Sequence, residues 1–235
     1  MNHIAFTHIG KRYENQDLIN IENIGLSTYL YLVVDGMGGY ENGALAAKIV
    51  AENITTFLST VKDISKEVIQ KGVNKANRAL KQAQESSQTK MGATIGGIIV
   101  EDNTAFCFWV GDVKIFHFKN NKLCYESTEH TLVKEILRNG SLNNPAQMSK
   151  YQHIVTRSVQ GDIKSSQIST MELTDLTNND LLFICSDGVH NIIDGSTIEH
   201  ILNASADLNK ATETITNRLK LESIDNASFL AIKVK

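Results

Sequence analysis

Residues 29–36 read Tyr29-Leu30-Tyr31-Leu32-Val33-Val34-Asp35-Gly36, an uninterrupted apolar run that ends in an acid followed by a glycine. Apolar runs of this length, rich in β-branched and aromatic residues, are typical of buried β-strands. A carboxylate at the mouth of a buried strand is partly desolvated, so it is stable only where a cation or several hydrogen-bond donors compensate its charge. The segment therefore predicts a core strand that leads into a polar site at Asp35.

The same arrangement of acids beside strand-like runs recurs along the chain. The run 181–186 leads into Asp187-Gly188, Asp112 follows a strand-like run, Asp17 follows an Asn-Gln pair, and Asp225 precedes the last such run. One Asp-Gly pair by itself is a common turn dipeptide, but recurrence at strand ends favours a shared site. Carboxylate and carbonyl oxygens without a His or Cys cluster suit hard ions such as Mg²⁺ or Mn²⁺. Three further acids fit turns or strand edges and are not assigned to this site: Asp102, Asp162 and Asp180.

The spacing of apolar residues predicts a fold built mainly of consecutive strands. Strand-like runs cover residues 29–34, 93–100, 104–110, 114–118, 122–127, 181–185 and 228–234. Apolar residues three and four apart predict helices over 43–58 and 66–84, and the tail 196–221 also reads as helical. Because the helices are inserted early and late rather than between every pair of strands, an antiparallel α+β fold is favoured. The pair Asn120-Asn121 predicts a tight hairpin turn, since Asn tolerates positive φ.

Length and composition predict one continuous domain over residues 1–235. The 23 basic and 26 acidic side chains give a net charge of −3, which provides no strong attraction for nucleic acid or anionic lipid. We find no pattern of a signal peptide or a membrane span, so we expect a cytoplasmic monomer. The cysteines Cys107, Cys124 and Cys185 lack the spacing of zinc or redox motifs, and we expect buried, reduced thiols.

Taken in order, these segments resemble the bacterial form of the metal-dependent, type 2C serine/threonine protein phosphatases over nearly the whole chain. Arg12, five residues before Asp17, resembles the first family motif, and Asp35-Gly36-Met37-Gly38-Gly39 resembles the second. The later motifs follow in the family's order: Gly92-Ala93-Thr94, Gly111-Asp112, Thr128-Glu129-His130, Thr156-Arg157-Ser158, Ser186-Asp187-Gly188 and Asp225-Asn226. An ordered series separated by matching strands is far more specific than any one of these motifs alone.

The resemblance implies an α-β-β-α sandwich, with two antiparallel sheets face to face, helices outside and two or three Mn²⁺ or Mg²⁺ ions at one end. Its implied metal residues are Asp35 as the bridging ligand, the Gly36 carbonyl, Asp187 and Asp225 on the first ion, Asp17 as a ligand or a support for the ions' waters, and Asp112 on a third ion. Arg12 would bind the substrate phosphate, because a guanidinium offers paired donors that a lysine cannot arrange. The implied reaction is hydrolysis of phosphoserine and phosphothreonine in proteins by a water between two ions, which would reverse a partner serine/threonine kinase.

Several positions depart from the family pattern. Met37 stands where eukaryotic members carry a histidine that is proposed to protonate the leaving alkoxide. Gly-Asp-Ser-Arg is here Gly111-Asp112-Val113-Lys114, and Thr-x-Asp-His is shortened to Thr128-Glu129-His130. Both changes keep the metal acids and affect the residues that would anchor this loop and support the third ion. His130 could act in proton transfer or cap a helix over 131–138. The polar stretch 139–153 could form a flap that helps to select substrates.

Other functions fit parts of the pattern. A catalytically silent relative would bind phosphoproteins or metals without turnover, but such a protein has no chemical reason to keep five acids. An enzyme specialised for a phosphorylated transcription regulator usually carries a sensor domain, and none is visible in the sequence. A hydrolase of small phosphate esters is also compatible, because the sequence does not reveal the depth of the pocket.

Overall fold

Two five-stranded antiparallel sheets form the centre of the computed structural model, which describes residues 2–37, 42–138, 151 and 154–234. Sheet I has the order β1-β10-β9-β6-β7, formed by β1 (Asn2–His8), β6 (Lys114–Lys119), β7 (Lys122–Glu126), β9 (Asp180–Cys185) and β10 (Ala227–Lys233). Sheet II has the order β2-β3-β4-β5-β8, formed by β2 (Asp17–Asn23), β3 (Thr28–Met37), β4 (Gly92–Glu101), β5 (Thr104–Val110) and β8 (Ser169–Leu173). The predicted antiparallel α+β fold is confirmed.

The described helices are α1 (Asn42–Leu58), α2 (Lys66–Ser87), α3 (Leu132–Arg138), the single turn α4 (Asp187–His190), α5 (Gly195–Ala204) and α6 (Leu208–Glu222). Two of them cover the outer face of each sheet, α1 and α2 on sheet II and α5 and α6 on sheet I. The side chains of Ser65, Asp194 and Asp207 accept a hydrogen bond from the first turns of α2, α5 and α6, and each such cap contributes about 1 kcal/mol to helix stability. None of these helices is long and apolar enough to cross a membrane.

Three apolar layers follow from the alternation of side chains along the strands. On β3, Leu30 and Leu32 face α1 and α2, whereas Tyr31 and Val33 face sheet I. The layer between the sheets also contains Ile184 from sheet I. A third layer packs the outer face of sheet I against α5 and α6. Since both faces of each sheet are buried, the central strands are nearly continuous apolar runs, which is why the sequence reveals them clearly.

The strands that sequence analysis missed are edge strands. The strands β1, β2 and β8 each pair on one side only, and their mixed polar composition, as in Asn2–His8, hides the strand period. The helical tail is two helices rather than one, because the chain turns at 205–207 before the Asp207 cap. The hairpin turn at Asn120-Asn121 is confirmed, with φ of 52° and 62°.

Two further predictions have different outcomes. Cys107 and Cys185 are buried free thiols as expected, but the expectation is wrong for Cys124, which is exposed on edge strand β7. The predicted flap over residues 139–153 lies outside the described residues, apart from Tyr151.

Gly96 and Gly97 in the middle of β4 let the layers approach closely. A methyl group on Gly96 would lie 2.5 Å from Cγ1 of Val113 in the layer between the sheets. A methyl group on Gly97 would lie 2.2 Å from Cζ of Phe108, whose ring crosses Gly97 from the paired position on β5. The missing side chains therefore leave space that neighbours on both faces fill.

We predict that Gly97→Val lowers the free energy of unfolding by about 1–3 kcal/mol, because the Phe108 ring must leave its position. Urea denaturation measures this change. The control Ala5→Val adds carbon atoms at an exposed position of β1 and should stay within about 0.5 kcal/mol of the wild type. Equal effects of the two substitutions would contradict this account of the packing.

Candidate functional site

The layer between the two sheets changes from apolar to polar at one end. In sheet II, Asp17 on β2 pairs directly with Asp35 on β3, and Asp35 pairs with Thr94 on β4. These positions are two residues beyond Ile19 and Val33, which face the apolar layer between the sheets. Because side chains alternate along a strand, the two carboxylates and the Thr94 hydroxyl belong to the same inner face.

Sheet I brings three more acids to this end. The strand β9 runs antiparallel to both β6 and β10, so its carboxyl end lies beside their amino ends. Asp187 comes two residues after β9, Asp112 two residues before β6, and Asp225 two residues before β10. Topology therefore gathers all five predicted acids at one edge.

Hydroxyl groups connect the two sheets beneath the acids. The Ser186 hydroxyl donates to Oδ2 of Asp17 at 2.8 Å and accepts from the Ser228 backbone N–H at 3.0 Å. Ser186 and Ser228 are fully buried, at positions that continue the inner faces of β9 and β10. Asp17 is thus held by a side chain of the opposite sheet.

Asn226 is a functional residue whose role sequence analysis did not identify, although it stands in the quoted Asp225-Asn226 motif. Its amide nitrogen donates to the carbonyls of Ile9 at 2.8 Å and Glu14 at 3.0 Å, and its Oδ1 accepts from Gln16 N–H at 2.9 Å. The Gln16 carbonyl in turn accepts from Gly36 N–H at 3.1 Å. One buried amide therefore fixes the loop before β2 against both sheets.

Gly36 has no space for a side chain. A methyl group there would lie 2.0 Å from the Gly43 carbonyl oxygen and 2.9 Å from the Gln16 carbonyl oxygen. The amino end of α1 is consequently packed directly against the end of β3, next to Asp35. The next glycines of this motif, Gly38 and Gly39, lie outside the described residues.

Arg12 lies at the rim and binds one of the acids. Its Nε donates to Oδ1 of Asp225 at 2.8 Å and a terminal nitrogen donates to Oδ2 at 2.5 Å. The pair is well exposed to solvent, and the hydrogen bond to Asp225 further raises the pKa of Arg12. A guanidinium that presents two parallel donors to a carboxylate has the geometry to bind a phosphate in the same way.

The acid cluster carries more negative charge than its surroundings compensate. Burial and, after it, the charges of neighbouring carboxylates raise the pKa of Asp17 to about 6 and that of Asp187 to about 7. The pKa of Asp35 is raised well above its usual value by burial and then by the charge of Asp17. Like charges directly opposite each other on paired strands are destabilising, so the cluster favours protons or cations.

The donor set fits a hard divalent ion. Within the described residues, the buried Oδ1 of Asp17 and Oγ1 of Thr94 have no hydrogen-bond partner. Asp17 and Thr94 are the residues paired with Asp35 on the two neighbouring strands. The acids supply oxygen atoms only, which Mg²⁺ and Mn²⁺ prefer. No group of three or more described His, Cys, Asp or Glu side chains is already placed to hold a metal ion. Two of the acids instead bind other side chains: Asp225 binds Arg12, and Asp17 binds Ser186.

Two histidines, buried His130 and half-buried His190, hold the turn that carries Asp112. The Nδ1 of His130 accepts from Gly111 N–H at 3.0 Å, and the Nε2 of His190 lies 2.9 Å from the Asp112 carbonyl, to which it donates. Burial lowers the pKa of each ring to about 4, so both are neutral at pH 7. The His130 ring also binds the Ser169 hydroxyl rather than the first turn of α3. Its predicted role as a helix cap is therefore replaced by a role in the turn.

The two departures from the family pattern in this loop contact each other. Buried Lys114 forms ion pairs with Glu126 and, at 3.0 Å, with Glu129. Val113 packs in the apolar layer between the sheets. Lys114 and Glu129, which depart from the family pattern, therefore have partners of opposite charge. Their ion pair anchors this loop.

We predict that the stability of the metal-free protein depends on the protonation of Asp17. Its pKa is about 6 in the folded chain and about 3.9 in an unfolded one, so the folded state binds more protons in between. The stabilisation is present below pH 4 and is lost as pH rises through about 6. In chelator, Asp17→Asn should gain about 1–3 kcal/mol relative to the wild type between pH 4 and pH 7, measured by urea denaturation. A difference that does not change with pH would contradict this origin.

We predict that Asn226→Asp lowers the free energy of unfolding by about 2–4 kcal/mol. The substitution places a carboxylate oxygen against the Ile9 and Glu14 carbonyls and removes both donors. The matched control is Asn23→Asp, where the side-chain oxygen that accepts from Gly25 N–H is retained at an exposed position. Denaturation midpoints that fall equally in both variants would show that Asn226 has no special role.

Comparison with known proteins agrees with this geometry. A family model described as protein phosphatase 2C matches residues 6–227. The protein phosphatase PhpP of Streptococcus pneumoniae serotype 2 (strain D39) is 28% identical over 218 residues, covering 89% of this chain and 87% of that protein. The serine/threonine phosphatase stp of Listeria monocytogenes serotype 4b is 25% identical over 231 residues, covering 94% and 91% of the two chains.

Solved structures show the same fold. The serine/threonine phosphatase of S. agalactiae has a TM-score of 0.89 at 22% identity, covering 100% of this chain and 99% of that one. The catalytic domain of the serine/threonine protein phosphatase PstP, crystallised with two manganese ions, has a TM-score of 0.80 at 18% identity, covering 98% and 96%. With the family model matched over nearly its whole length, the chain belongs to the protein phosphatase 2C family.

Proposed function

We propose that this protein hydrolyses phosphoserine and phosphothreonine in other proteins, with Mn²⁺ or Mg²⁺ as cofactor. The observation that carries the proposal is the half-buried pair Asp17 and Asp35, which occupy paired positions on β2 and β3, leave the buried Oδ1 of Asp17 without a hydrogen-bond partner and have raised pKa values. Such a pair has little structural use by itself, because its charges repel. It becomes favourable when divalent cations bind.

The residues that would hold two ions are Asp35, the Gly36 carbonyl, Asp187 and Asp225, with Asp17 as a ligand or as a support for the ions' waters. Asp112 would serve a third ion. When bound, a pair of divalent ions lowers the pKa of a water and stabilises charge on attacking and leaving oxygens. The structurally similar catalytic domain of PstP was crystallised with two manganese ions, which supports a site for two ions in this fold.

Arg12 would bind the phosphate of the substrate. Its contact with Asp225 is exposed, so the guanidinium can exchange a carboxylate for a phosphate without desolvating a buried charge. The same exchange would release Asp225 toward the ion. The other acids would stay in place, since Ser186 holds Asp17 and the two histidines hold the Asp112 turn.

Proton donation to the leaving group would not come from these histidines. Met37, at the end of β3, has no acidic proton, and the rings of His130 and His190 are both bound to the Gly111-Asp112 turn. His130 is consequently proposed to position the turn rather than to transfer protons. This choice follows from the hydrogen bonds that its ring already makes.

The wider setting follows from the proposed chemistry. The partners would be phosphorylated proteins and the serine/threonine kinase that modifies them, and we expect neither nucleic acid nor a membrane to be bound. A cytoplasmic monomer is the simplest setting for such an enzyme. A catalytically silent phosphoprotein- or metal-binding relative is the alternative, and the experiment below separates the two.

We predict that the purified protein hydrolyses a phosphothreonine peptide with Mn²⁺ or Mg²⁺ and loses this activity in chelator. Asp35→Asn and Asp187→Asn should each lower kcat at least about 100-fold, because each would remove a ligand charge from the ions. Arg12→Ala should raise KM about tenfold or more, with Arg12→Lys only partly restoring it. Steady-state kinetics measure all four variants.

The matched control is Asp63→Asn, an exposed acid between α1 and α2, which should retain wild-type kinetics. If the folded wild type binds Mn²⁺ but hydrolyses neither the peptide nor p-nitrophenyl phosphate, the protein is a catalytically silent relative of the family. Full activity of Asp35→Asn would contradict the assigned ligands.

A further inference from the structure

Helix α2 carries a row of three amide side chains, Gln70, Asn77 and Gln84, which are seven residues apart. A spacing of seven places side chains on one side of an α-helix, with a drift of about 20° per step. All three contact a single segment, residues 160–168, which follows the Thr156-Arg157-Ser158 motif. Nothing in the proposed chemistry uses this row.

The two glutamines bind the backbone at the ends of the segment. The Gln70 side chain donates to the Ser166 carbonyl at 3.1 Å and accepts from Ile168 N–H at 2.9 Å. The Gln84 side chain donates to the Gln160 carbonyl at 3.2 Å. These contacts join a helix to a loop about 80 to 100 residues further along the chain.

Asn77 binds the centre of the segment and is almost fully buried. Its Oδ1 accepts from Gln160 N–H at 3.1 Å and from Gly161 N–H at 2.7 Å, and its amide nitrogen donates to the Ser166 hydroxyl at 3.4 Å. A buried amide is favourable only while its partners are in place, so the row specifies one position of the segment.

The segment held in this way adjoins the acid site. Val159 exchanges two hydrogen bonds of 2.9 Å with Ala93, and Ala93 pairs with Gly36. A methyl group on Gly92 would lie 3.2 Å from Cβ of Gln160 and 3.6 Å from Cε of Met37. Val159 therefore lies two strand spacings, or about 10 Å, from Gly36, and residues 160–161 follow it directly in the chain.

This distance decides what the segment can contact. A phosphate bound at the acids would not reach residues 159–161, but a polypeptide extends about 3.3–3.6 Å per residue. Side chains two or three positions from the phosphorylated residue could therefore contact residues 159–161. A small phosphate ester would not.

We propose that Gln70, Asn77 and Gln84 are positioning residues that hold residues 159–161 as a wall of the site for the polypeptide part of a phosphorylated substrate. This inference rests on the proposed phosphatase function. A wall of this kind is useful to a protein phosphatase, because its substrate is a polypeptide, whereas a hydrolase of small phosphate esters has no use for it.

The test compares a phosphothreonine peptide with p-nitrophenyl phosphate, using Mn²⁺-loaded wild type, Gln84→Leu and Asn77→Ala. For both variants KM for the peptide should rise at least fivefold, with kcat/KM for p-nitrophenyl phosphate within twofold of the wild type. Amide hydrogen exchange of residues 157–168 should also become faster in Asn77→Ala. The matched control Gln82→Leu makes the same change on the exposed side of α2 and should alter none of these values.

Equal losses with both substrates, or unchanged peptide kinetics in both variants, would overturn the positioning role while leaving the phosphatase intact. Unchanged hydrogen exchange in Asn77→Ala would overturn it as well. A wild type that hydrolyses neither substrate would instead refute the proposed function, and the inference with it.

Discussion

Repulsion between Asp17 and Asp35 is the constraint on which the organisation of this molecule depends. The two carboxylates face each other across paired strands at the mouth of the layer between the sheets, where water cannot fully solvate them. Such a pair persists only if the rest of the fold holds it rigidly. Ser186 holds Asp17 from the opposite sheet, and Asn226 holds the loop before β2. The unbalanced charge then favours binding of cations, which is the physical basis of the proposed chemistry.

The sequence predicts those parts of the fold in which burial and pattern agree. The central strands are apolar runs because both faces of each sheet are covered, and the five acids are recognisable because each lies beside such a run. Three of the four edge strands, β1, β2 and β8, could not be predicted, since one partner strand and a solvated face permit a mixed composition such as that of Asn2–His8. The roles of His130, His190 and Asn226 were also invisible, because they depend on contacts with residues distant in sequence. An Asn beside an Asp at the start of the last strand was the one available signal.

The unusual residues of the Gly111–Lys114 loop show how substitutions can compensate each other. Read singly, Lys114 and Glu129 look like losses from the family pattern. In the fold they form one ion pair at 3.0 Å, and two neutral histidines bind the backbone of the adjoining Gly111-Asp112 turn. Lysine lacks the paired donors of arginine, but Glu126 provides it with a second carboxylate. The position of Asp112 thus depends on a local network rather than on any single residue.

Binding of two divalent ions by the Asp35 cluster can be observed by anomalous diffraction from a crystal grown with Mn²⁺. We expect two anomalous peaks about 3.5–4 Å apart that share Asp35, with Asp187 and Asp225 on one of them and Arg12 released from Asp225. A map without a peak at Asp35, in a crystal where Arg12 still binds Asp225, would contradict this expectation.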